Sequence, residues 1–91
     1  MDEKIQTILE EKIHEATERD KELTMLVDSF KEIEPDKANA FGHGIIIGRL
    51  YNSFYYQSRR ILKRNPTEQE FSEFVKLLQE YKNELSEISF S

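Results

Sequence analysis

The chain reads as all-α: an antiparallel up-down-up three-helix bundle with its second helix central. Three observations predict this. Apolar residues recur at three- and four-residue spacing along most of the sequence, the period of a helix face. The two prolines, Pro35 and Pro66, cut the 91 residues into three segments, and proline is poorly tolerated inside a helix. No glycine lies outside the middle segment, so the flanking segments lack the other common breaker.

The first segment predicts one continuous helix over about 2–33. Ile5, Ile8, Leu9, Ile13 and Ala16 share a face with Leu23, Leu26, Val27, Phe30 and Ile33, and the phase is kept across the polar stretch Thr17–Lys21. The second helix is expected over about 36–64, with Asp36 as N-cap or Pro35 as its first residue. The third, about 67–90, carries the stripe Phe71, Phe74, Leu78, Tyr81, Leu85 and Ile88. Thr67 with Glu70 forms a capping box at its start, and Pro66 with Phe71 the accompanying apolar staple. Asn65 suits the left-handed cap of the preceding helix. At 1.5 Å per residue the three helices would span roughly 48, 44 and 36 Å. The short connections make neighbours antiparallel.

The whole chain, 1–91, is expected to form one domain. Absence of cysteine excludes disulfides and thiolate metal sites. No secretory signal is visible, and no apolar run exceeds three residues, as in Ile45-Ile46-Ile47, far below the ~20 residues of a membrane span. A cytoplasmic protein without cofactors is therefore expected. The net charge of −5 is unevenly spread: residues 1–34 balance at −6, 35–66 at +5 and 67–91 at −4. A basic segment lies between two acidic ones.

All three glycines, Gly42, Gly44 and Gly48, fall in the middle of the second helix. Each is unfavourable there by roughly 1 kcal/mol relative to alanine, so a close-packed backbone is expected nearby. Projected at 100° per residue, Gly42 aligns with a solvent stripe of Arg49, Ser53, Gln57, Arg60 and Arg64. Ala40, Gly44 and Gly48 form a smooth ridge at four-residue spacing, flanked by Ile47, Tyr51 and Tyr55. Such small-xxx-small ridges let helices approach closely. The ridge either packs within the monomer or joins two chains. A helix apolar over so wide an arc needs more cover than two neighbours easily give. The expected function is therefore that of a helical adaptor or regulator that homodimerises, or binds another protein's helix, through this face.

Arg49, Arg59, Arg60, Lys63 and Arg64, interleaved with tyrosines, carry the alternative reading, an anionic partner such as nucleic acid. The acidic chain, with pI near 5.0, and the absence of a short recognition helix argue against nucleic acid. Cations at the end of the second helix also suit its dipole. Glu11 and His14 have the Glu-x-x-His spacing of di-metal bundles, but no second copy of the motif occurs, and no metal site is expected. His43, between two glycines, is the candidate anchor of a small pocket. No nucleophile–base pair is evident, so the sequence does not predict an enzyme.

Overall fold

The computed structural model describes residues 1–18, 21–31 and 35–90. Ile33 and Glu34 lie outside the described residues. Among the described residues the chain is all-helical, with five α-helices: α1 (Glu3–Thr17), α2 (Lys21–Phe30), α3 (Ala38–Gln57), α4 (Glu68–Glu80) and α5 (Lys82–Ser86). A 3₁₀ turn, Pro35–Lys37, precedes α3, and a π turn, Ser58–Leu62, follows it. Among the described residues there is no strand.

The first expected helix is two. α1 starts where Asp2 accepts from the amides of Lys4 and Ile5, and it stops at Glu18, whose backbone is extended at φ −80°, ψ 157°. Near the end, the Thr17 hydroxyl donates to the His14 carbonyl at 2.6 Å, a local bond that competes with the helix. No apolar residue lies between Ala16 and Leu23, so no packing holds that stretch in line. A helix of 32 residues would run about 48 Å, beyond the 41 Å longest dimension of the molecule. The break lets α2 turn onto the start of α3 while keeping Leu23 and Val27 in phase with Ile5, Leu9 and Ile13 in the core.

The second helix also differs at both ends. Lys37 stands at the N-cap position of α3 without a side-chain cap bond, so neither Asp36 nor Pro35 takes the expected place. At the other end the left-handed residue is Lys63, with φ 62°, not Asn65. The π turn brings this about. Ser58 is buried and its hydroxyl donates to the Phe54 carbonyl at 2.8 Å, and the chain reaches the turn two residues early. The third helix starts as expected, with both bonds of the Thr67–Glu70 capping box formed. It bends at Tyr81 and ends at Ser86; residues 87–90 fold back toward α3.

Named contacts set the directions. Met1 bonds Glu73, the Tyr81 hydroxyl donates to Glu10, and His14 lies 3.5 Å from Glu84. Residue numbers rise together, so α1 runs parallel to α4–α5. Phe54 stacks on Phe74 at 4.6 Å, and His43 reaches Ile88. Here numbers fall as others rise, so α3 runs antiparallel to α4–α5. Because α1 touches both α3 and α5, the layers meet pairwise. The second helix touches both other segments, and one side of it stays outside.

Candidate interaction face

Six of the buried positions of α3 and the turn after it follow one four-residue row: Ala38, Gly42, Ile46, Leu50, Phe54 and Ser58. Such a row advances about 40° per step around an α-helix, so the contact surface winds around α3. A fixed solvent stripe therefore fails. Gly42 and Ser53, expected in the exposed line with Arg49, are both buried. Above Gly42 lies the ring of Phe90, and an added Cβ would sit well inside contact distance of it. The expected place of Gly42 in the solvent stripe is overturned.

Two positions further along, the opposite row is Ala40, Gly44, Gly48, Asn52 and Tyr56, and every member is exposed. Among the described residues no heavy atom comes within 4 Å of a Cβ built on Gly44 or Gly48, so none of them packs on these two positions of the ridge. Ile47 at 36% and Tyr51 at 46% exposure flank it; Tyr55, half-buried, ends it with its ring 5.1 Å from that of Tyr51. From Ala38 to Ser58 the only charged side chain is Arg49.

The tertiary structure enlarges the face. Phe71, expected in the core stripe, is 38% exposed beside Tyr51, and Val75 lies on the same side of α4 one turn on. At the other end Phe30 of α2, also expected inside, is 44% exposed with its ring 5.1 Å from Phe41. Val75 was legible in principle, since Phe71 and Val75 form a four-residue row separate from Phe74 and Leu77. Nothing in the sequence says that this row faces out.

The basic residues do not form one open stripe. Arg64 makes a two-pronged bond to Glu70, at 2.6 and 3.3 Å. Glu70 also accepts from the Thr67 amide at 2.9 Å. The Arg64 guanidinium first, and the Thr67 amide second, hold the Glu70 carboxyl at about 2, well below its usual range. Arg59 donates to Asn65 at 2.9 Å and lies 5.6 Å from the centre of the Tyr55 ring; Arg60 donates to Gln57 at 2.8 Å. Arg49 sits apart, in the cleft between α1 and α3 with Lys12 and Glu15. Lys63 occupies the left-handed turn position. Three of the five thus serve to close the α3–α4 corner.

His14 is exposed and lies edge-on to the Tyr81 ring. Among the described residues no group of three or more His, Asp or Glu side chains is placed to hold a metal, and no helix is long and apolar enough to cross a membrane. His43 is half-buried, and its Nε2–H donates to the Ile88 carbonyl at 2.6 Å. No protein family, curated protein or solved structure matches this chain.

Proposed function

We propose that this protein is a helical adaptor or regulator that self-associates as a homodimer through the outer face of α3, with its layers read as an up-down-up bundle. The observation that carries this reading is the open space over Gly44 and Gly48 on an exposed row, Ala40 to Tyr56, that holds no charged residue. Glycine costs helix stability at both positions, and nothing inside the monomer offsets that cost. A second backbone would.

The occupant is a second copy. A chain with a net charge of −5 repels itself over most of its surface, but the row from Ala40 to Tyr56 holds no charged residue, so two such rows meet without that repulsion. Phe41 lies at one end of the glycine pair and Tyr51 at the other. A two-fold antiparallel crossing therefore sets Phe41 beside the partner's Tyr51 on both sides. The face from Ala40 to Tyr56 is about 24 Å long. With α4 alongside it is about 20 Å wide, so two copies bury roughly 1,000 Å² in all, near the lower limit for a specific interface. A reversible, concentration-dependent dimer is expected. Sedimentation equilibrium tests it: a strict monomer at high micromolar concentration would refute the proposal. Phosphate binding by the arginines would instead show as steep loss of nucleic-acid affinity with salt.

A further inference from the structure

Residues 88–90 are read by α3 in a specific way. Asn39 Oδ1 accepts the amide of Phe90 at 2.6 Å, and His43 Nε2–H donates to the carbonyl of Ile88 at 2.6 Å. Asn39 and His43 are one helical turn apart, so both face the same side. Between them lies Gly42, whose missing side chain makes the notch that takes the Phe90 ring. The His43 ring stands edge-on to Phe90 at 5.9 Å.

One acceptor and one donor, matched to an amide and a carbonyl two residues apart, are what the edge of a β-sheet offers an extended peptide. Here two side chains on a helix supply them. Both protein partners are consumed by main-chain groups of the segment, while the Phe90 ring fills the notch and Ile88 packs against the core. The recognition is thus of backbone plus one ring and one aliphatic side chain, which an extended segment with those two residues two positions apart could satisfy.

We propose that Asn39, Gly42 and His43 form a peptide-binding clasp, occupied in cis by Ile88–Phe90 and able to take the same kind of segment in trans: an extended peptide with an aromatic residue two positions after the carbonyl given to His43. The clasp accounts for Gly42 as the dimer face accounts for Gly44 and Gly48. The two sites lie on different sides of α3, since Gly42 is buried and the other two are exposed.

The test uses the full chain with Phe90→Ala, which empties the notch but leaves its floor, and a labelled peptide of residues 83–91. Saturable binding by fluorescence anisotropy is expected. Wild type should bind at least ~10-fold more weakly, because its own tail competes at an effective concentration on the order of millimolar. Binding should vanish when Gly42→Leu is added to Phe90→Ala, and should survive in a Gly44→Leu background, which separates this site from the dimer face. Equal binding to wild type and Phe90→Ala, or none to a folded Phe90→Ala chain, overturns the proposal. Should Phe90→Ala not fold, hydrogen exchange on wild type decides instead. A Phe90 amide protected in wild type and released by Asn39→Ala supports the clasp; an unprotected one overturns it.

Discussion

Replacing both Gly44 and Gly48 by leucine should raise the stability of the monomer and abolish the dimer. Both glycines lie in the interior of α3 with no atom within 4 Å of an added Cβ. The new side chains therefore enter water, not a neighbour. Leucine is close to alanine in helix preference, so each exchange gains about 1 kcal/mol and the pair about 2 kcal/mol. For a domain of this size each kcal/mol moves Tm by roughly 4–8 °C, so the pair should raise it by roughly 8–16 °C. In the proposed dimer a second backbone would fill the same space, and two leucines would hold the helices apart. The assay is thermal unfolding by circular dichroism at low and high protein concentration, with sedimentation equilibrium alongside. Wild-type Tm should rise with concentration, as it must when only the folded state associates. The variant's should be higher in dilute solution and independent of concentration. A lower Tm for the dilute variant would mean that the glycines are packed inside the monomer. A dimer that survives both leucines would mean that this face is not the interface.

Four further outcomes follow from local chemistry. Ser53 is buried with its hydroxyl unpartnered, so Ser53→Ala should stabilise by about 1 kcal/mol, seen as a raised urea midpoint with unchanged slope. Glu70 titrates at about 2 in the folded chain against an ordinary 4.5; its contribution is complete above 4.5 and is lost as pH falls from there toward 2. Glu70→Gln should therefore lower stability at neutral pH and approach wild type near pH 2, while Thr67→Ala should cost about 1 kcal/mol through the lost cap. The Tyr81 hydroxyl, donating to Glu10, is pushed up to about 12 from 10.0. Holding the proton stabilises the fold fully below pH 10, and that contribution disappears between 10 and 12. Tyrosinate absorbance should show Glu10→Gln moving Tyr81 back toward 10.

Much of the architecture was legible in the sequence, because local rules act over a few residues. The Thr67–Glu70 capping box, the breaks at Pro35 and Pro66, and the buried stripe of Ile5, Leu9, Ile13, Leu23 and Val27 are all set by spacing alone. Helical phase, however, reports which residues share a face and not whether the backbone between them is continuous. The break after Thr17 therefore passed unseen, and so did the π turn at Ser58–Leu62.

The candidate site divides the same way. That α3 carries three glycines, a nearly charge-free surface and a row of small residues is fixed by the sequence, since composition at four-residue spacing follows the chain wherever it folds. Which glycine is covered was decided only by tertiary structure. The contact row on α3 winds about 40° per step, and the tail that fills the Gly42 notch is 48 residues away in the chain. Projection onto a single helix cannot know from which side a distant segment arrives. It set Gly42 in solvent and Gly44 and Gly48 as candidates for close packing; the fold buries the first under Phe90 and leaves the other two open.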